Sequence, residues 1–262
     1  MEDDAGDLLG VARAVTASRS PSRLLLRRAR CGPFVLPRSA SFPSRHSEAA
    51  WITTHTVPVP ATPFTVLLVC TGNICRSALA ERLGRAHLDE LLSDDAGAMC
   101  LVSAGTRAVV GSGMHPDSEL VLRGMGAEPG DFHARQLVDS FVTESDLVLT
   151  MTRRHRSDVL ALTPRALART FTLREAAELV GLVGEAVEPP GDDLTDHARH
   201  LVRKMVAARS RRHGGEQDDI RDPIGRPAEV HQEVGLAISE ALLPILRRFA
   251  ALLPSDDDRR DP

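Results

Sequence analysis

Cys70 and Arg76 stand six positions apart in the run FTVLLVCTGNICRS, residues 64–77. An apolar, β-branched segment ends at Cys70. The loop Thr71, Gly72, Asn73, Ile74 and Cys75 follows, and Arg76 with Ser77 opens a helical pattern. Such a strand–loop–helix suits covalent hydrolysis of a phosphate ester. A curled loop aims successive backbone N–H groups at one centre and makes an anion nest. The helix N-terminus adds partial positive charge. Both favour a thiolate at Cys70, and the thiolate is the nucleophilic form. The guanidinium of Arg76 can hold two phosphate oxygens in a fork, which Lys cannot do.

The bare Cys-to-Arg spacing has little weight alone, because the chain is rich in Arg. The full octet carries much more. Gly72 permits positive φ. Asn73 tolerates the left-handed region and can tie the loop to itself. The Ser77 hydroxyl stands where it can reach the Cys70 sulfur.

These residues need a frame. Strands are expected at 64–70, 100–104, 146–151 and 169–172. Helices are expected at 77–93, 115–126, 136–142, 153–162, 174–183, 195–212 and 227–252. Short β-branched runs separated by helices argue for a parallel sheet with right-handed crossovers. The expected fold is a three-layer α/β/α domain with a four-stranded parallel sheet. The phosphate loop then follows the first strand, at the strand end where α/β proteins bind ligands. In helix 195–212, Ala198, Leu201, Val202, Met205 and Val206 form an apolar stripe, and Arg209 to Arg212 read as a solvated helix end. Pro244 should kink or split the last helix. Glu81 is expected on an exposed helix face.

The chain is expected to divide into a disordered, Arg-rich arm at 1–62, a domain at 63–253 and a polar tail at 254–262. Residues 11–50 hold eight Arg against one acid, Glu48, mixed with Ser and Pro. Such a segment buries too little to fold alone. Within the domain, 174–216 reads as a helical insertion broken by Pro189-Pro190-Gly191-Asp192-Asp193. It is either a lid or a layer that supports the sheet.

Composition narrows the function. A hydrophobic share of 42% supports a sizeable core, and a net charge of −4 gives no global field for nucleic acid. Four Cys, two of them in one loop, fit a reducing compartment, so the cytoplasm is expected. No apolar run reaches the ~18 residues of a spanning helix, and no signal peptide is visible. No His/Cys/Asp cluster has metal-ligand spacing, so neither a metal nor an organic cofactor is expected. Cys31 and Cys100 have no assigned chemistry, and Cys100 should face the core.

VCTGNICRSALAE at 69–81 resembles the signature of the low-molecular-weight protein tyrosine phosphatase family, with Ala78 where proline is usual. Val102-Ser103-Ala104-Gly105-Thr106, Ala134-Arg135-Gln136-Leu137, Asp146-Leu147-Val148-Leu149-Thr150-Met151 and Asp219-Ile220-Arg221-Asp222-Pro223 are similar to later family segments in the same order. The resemblance covers about 64–252 and looks bacterial in type, with a longer C-terminal half. It implies a protein-tyrosine-phosphatase that works through a phosphocysteine.

In that reading Cys70 attacks phosphorus, while Arg76 and the N–H groups of residues 71–76 hold the oxygens. Asp222 is then the general acid. Asn73, Ser77 and Ser103 support the loop. Cys75 is a redox partner, able to trap oxidised Cys70 as a disulfide. The implied substrate is a phosphotyrosine protein, with a tyrosine kinase as one such partner. An arsenate reductase coupled to a small thiol is the alternative on the same fold. Three departures bear on specificity. Ile224 stands where an aromatic often follows the Asp-Pro pair. Val109 stands where some members place Trp. Phe132 takes the place of a loop-supporting His, with His133 one residue later.

Overall fold

The computed structural model describes residues 63–184 and 194–252. The proposed arm 1–62, with Cys31, the Pro189–Asp193 break and the tail from 254 lie outside the described residues.

Four parallel strands, β1 (Phe64–Cys70), β2 (Met99–Gly105), β3 (Leu147–Thr150) and β4 (Thr170–Thr172), stand in the order β2-β1-β3-β4. β1 is flanked on both sides. Its register pairs Cys70 with Gly105 and Val69 with Thr150. Both faces are buried, which explains why the strand reads as an unbroken apolar run rather than an alternation. Phe64, Val66, Leu68 and Cys70 point into one core, and Leu67 and Val69 into the other.

The larger core is filled by α1 (Arg76–Leu92), α2 (Pro116–Gly124), α5 (Leu173–Val183), α6 (Leu194–Ala208) and α7 (Ala228–Ala250). Phe249 of α7 stacks on Phe64 with centroids 5.1 Å apart. The smaller core is closed by α3 (Asp139–Thr143) and α4 (Arg153–Leu162). The three layers and the parallel sheet follow the expectation.

Three local expectations give way to tertiary contacts. Helix 136–142 shrinks to α3, because Gln136 forms a bridge with Gly105 and its side-chain oxygen accepts from Ala108 N–H at 3.0 Å. Pro244 does not split α7. It is exposed, as is Glu240, so the carbonyl that loses its donor one turn back faces water. The Arg209–Arg212 end is no solvated terminus. Arg209 lies 4.1 Å over the Phe171 ring and 2.9 Å from Glu175, and Arg212 pairs with Asp218 at 2.5 Å and Glu178 at 2.8 Å.

Those pairs decide what the described part of 174–216 does. Leu173, Ala176 and Leu179 of α5 and Leu194, Ala198, Leu201 and Met205 of α6 are buried in the main core. Arg199 of α6 holds Asp146 at 2.8 Å, at the foot of the sheet. These helices are a layer that supports the sheet.

Candidate active site

The loop's shape is set from behind. Thr106 N–H donates to the Cys70 carbonyl at 2.9 Å, Arg107 N–H to Thr71 at 3.0 Å, Val109 N–H to Gly72 at 3.0 Å and His115 N–H to Ile74 at 2.8 Å. The segment after β2 thus holds the loop's carbonyls on one side. On the other side the Asn73 N–H lies 3.3 Å from Cys70 Sγ. The contact is close enough to need glycine at 105. A Cβ there would lie 2.4 Å from the Thr71 oxygen and 2.9 Å from the Asn73 nitrogen.

Asn73 takes φ +53°, the left-handed turn expected of it. Its Nδ2 donates to Ser103 Oγ at 2.8 Å and to Ser77 Oγ at 2.9 Å. Its Oδ1 accepts the Arg135 N–H at 2.7 Å. Ser77 Oγ in turn lies 2.9 Å from Cys70 Sγ. A hydroxyl and an amide aimed at sulfur stabilise its anion.

Glu81 overturns the expectation of an exposed face. It is 2% exposed. Its carboxylate accepts Ser103 Oγ at 2.5 Å and pairs with Arg135 at 2.9 Å and Arg85 at 3.0 Å. A buried carboxylate with this many donors is a paired charge, not a desolvated one. Glu81 and Arg135 are the loop support that spacing did not reveal. His133 does not supply it, since its Nδ1 lies 3.2 Å from the Gly111 carbonyl. Phe132 is buried under the Arg82 guanidinium, 5.4 Å from its ring.

Arg76 is 3% exposed. Its Nη1 donates to the Ile220 carbonyl at 3.0 Å and its Nη2 lies 2.6 Å from Asp222 Oδ2. Its Nε is buried and has no hydrogen-bond partner. The loop that carries Asp222 is pinned by Ile220 N–H on the Met151 carbonyl, 2.8 Å, and by Asp219 on the Arg153 N–H, 2.7 Å. Asp222 Oδ1 accepts the Ile224 N–H at 3.3 Å, a turn that Gly225 continues with φ +66°.

Thr71 adds a second link that the spacing did not suggest. Its Oγ1 lies 2.8 Å from His155 Nε2, and His155 Nδ1 lies 2.9 Å from Thr152 Oγ1. Burial, then the charge of Arg76, push the His155 imidazole down to about 4. It is therefore neutral at physiological pH. Thr152 caps α4 by accepting the His155 N–H, so His155 serves the cap with its backbone and the loop with its ring.

Cys70 and Cys75 are free cysteines and both are buried. Burial pushes the Cys75 thiol up to about 11, with the Ser118 hydroxyl opposing. Cys100 is buried in the smaller core, as expected. Ile74 is half-buried, while Val109 is 48% and Ile224 48% exposed. The departures at 109 and 224 thus present aliphatic rather than aromatic surface.

The family model described as low molecular weight phosphotyrosine protein phosphatase matches residues 65–213, more than half of the chain. The probable low molecular weight protein-tyrosine-phosphatase EpsP of Ralstonia nicotianae is 32% identical over 146 residues, 55% of this chain and 92% of the relative. A protein-arginine-phosphatase of Geobacillus stearothermophilus is 31% identical over 132 residues, 50% of this chain and 82% of the relative. Among solved structures, the low molecular weight protein tyrosine phosphatase from T. tengcongensis shares the fold with a TM-score of 0.51. It is 23% identical and covers 70% of this chain and 98% of its own. The alternative of an arsenate reductase finds no support in these likenesses. The matched range, the loop sequence and the shared fold agree: the chain belongs to the low molecular weight phosphotyrosine protein phosphatase family.

Proposed function

We propose that this phosphatase hydrolyses phosphotyrosine in proteins through a phosphocysteine on Cys70. The observation that carries the reading is the convergence on one loop of a sulfur with two donors and a buried guanidinium. Cys70 Sγ has the Asn73 N–H at 3.3 Å and Ser77 Oγ at 2.9 Å, and Arg76 is held against Asp222 at 2.6 Å.

The thiolate attacks phosphorus, and the S–P bond forms as the P–O bond to the leaving group breaks. Loop N–H groups and Arg76 hold the three remaining oxygens as charge builds. The buried, unpaired Arg76 Nε is a donor that a phosphate oxygen completes. Asp222 gives its proton to the leaving phenolate, then takes one from the water that cleaves S–P. Phosphate leaves, and the thiolate is restored. Asn73, Ser77, Ser103, Glu81 and Arg135 position the loop.

Val109 and Ile224, both exposed, put aliphatic side chains where relatives often place aromatic ones, so selection for a phenyl ring rests on the loop and not on an aromatic wall. Cys75 is the redox partner of Cys70. The free thiols of Cys70 and Cys75 favour a reducing cytoplasm as the location, and no described helix is long and apolar enough to cross a membrane. Tyrosine kinases are one class of phosphotyrosine substrate that the family likeness suggests.

The test is turnover of an aryl phosphate, a phosphotyrosine peptide and a phosphoarginine peptide by the parent, Cys70→Ser and Asp222→Asn. Turnover of phosphotyrosine, lost in Cys70→Ser and slowed in Asp222→Asn, supports the reading. Preference for phosphoarginine would move the substrate class toward that of the Geobacillus relative, and an inactive parent would overturn the mechanism.

A further inference from the structure

Three helix starts converge behind the phosphate loop. Cys75 precedes α1, His115 precedes α2 and His231 lies in the first turn of α7. One donor atom from each lies within 4.8 Å of the other two. The His115 and His231 rings stack with centroids 4.8 Å apart. His231 is 1% exposed, and its Nδ1 lies 2.9 Å from Ser118 Oγ.

The remaining nitrogens are the telling feature. His231 Nε2 and His115 Nδ1 are both buried without a hydrogen-bond partner. Both face one oxygen, Asp117 Oδ2, at 3.8 Å each. That is too long for a hydrogen bond. It is near the spacing of two ligands on one tetrahedral ion, about 3.3–3.8 Å for bonds of about 2.0–2.3 Å.

We propose that Cys75, His115 and His231 supply one thiolate and two imidazoles to a zinc site. One thiolate and two imidazoles are three donors of the softness zinc prefers, with water as the fourth of a tetrahedral set. The Cys75 thiol releases its proton to solvent as the S–Zn bond forms. The thiolate offsets one charge of the dication, and the Asp117 carboxylate, 3.8 Å from each imidazole, screens the other. Three helix N-termini and Arg76 oppose a cation here, but Asp222 already pairs with Arg76 at 2.6 Å. Ser118 Oγ, 2.9 Å from Nδ1, fixes the His231 ring; in the metal-bound form Nδ1–H donates to it and Nε2 is the ligand atom. The ion clamps the phosphate loop to α2 and α7. In sequence the ligands are 40 and 116 positions apart, which hid them from any spacing rule.

The test is titration of metal-stripped, reduced full-length protein with Co²⁺, read by absorption, and with Zn²⁺, read by calorimetry. One equivalent of Co²⁺ should bind with tetrahedral d–d bands and a thiolate-to-cobalt charge-transfer band. That band should vanish in Cys75→Ser and persist in Cys70→Ser. His231→Gln and His115→Asn should each weaken Zn²⁺ binding by about 100-fold, and thermal melts of the metal-free variants check that they fold. Should Cys75→Ser not fold, the His115→Asn result decides, since that side chain is 26% exposed and its loss is tolerable. No saturable binding, or a band that follows Cys70 instead of Cys75, overturns the site. The readouts do not require phosphatase activity, so they stand whatever the substrate proves to be.

Discussion

Asp222 Oδ2 rests 2.6 Å from Arg76 Nη2, a half-exposed carboxylate on a buried guanidinium. In the free site, the proposed acid therefore occupies a donor that a substrate oxygen can use. Asp222→Asn should lower kcat on aryl phosphates by about 10²–10³ and tighten inorganic phosphate several-fold. Calorimetry with phosphate checks the second part. Unchanged affinity would mean that the carboxylate does not compete for Arg76.

Glu81 joins Ser103, Arg135 and Arg85 beneath the loop. Glu81→Gln removes the charge while the shape stays. The two arginines are about one-third exposed and can turn to water, so the cost should be about 2 kcal/mol rather than the larger loss of a fully buried pair. Urea unfolding measures it, and a change below about 0.5 kcal/mol would contradict the role. Turnover should fall as well, because a neutral amide holds Ser103 and Arg135, and through them Asn73, more weakly than the carboxylate does.

Gly105→Ala drives a Cβ against backbone atoms of residues 71 and 73. Backbone cannot step aside as a flexible side chain does. Stability should fall by about 1–3 kcal/mol, and activity should fall at least about tenfold as the loop shifts. Normal turnover in the variant would show that the loop has slack.

His155 is held near 4 in the fold, against an ordinary 6.5. Between those values the unfolded chain takes up a proton that the folded one refuses. Its contribution is intact above about pH 6.5 and is lost as pH falls toward 4. By pH 5 the loss should be about 2 kcal/mol. His155→Gln, which keeps a polar partner for Thr71, should lose less stability than the parent between pH 7 and pH 5. Equal losses would show that other groups govern the acid limb.

In the metal-free protein, peroxide should inactivate the parent reversibly, with thiol restoring turnover, and Cys75→Ala irreversibly. The thiol at 75, raised to about 11, is mostly protonated at neutral pH, so trapping should speed up as pH rises. Equal recovery in both proteins would remove Cys75 from the redox role.

The octet around Cys70 was legible because its chemistry is local. A strand end, a tight turn and a helix start lie within eight residues, and Asn73 and Ser77 act on Cys70 within one loop. The four strands were legible because fully buried parallel strands leave unbroken apolar runs. Less legible was α3, where the Gln136 bridge to Gly105 overrode helical periodicity.

By itself, the sequence determined the parallel α/β frame, the nucleophile loop and its guanidinium, since each is a matter of residue type at short range. Only the tertiary structure decided that Glu81 is buried, that His155 holds Thr71 and that Asp222 reaches Arg76 across 146 positions. It alone brought Cys75, His115 and His231 together. These contacts join segments far apart in the chain, and whether a charge is paired or an imidazole left unpartnered depends on what the fold packs against it, which spacing does not encode.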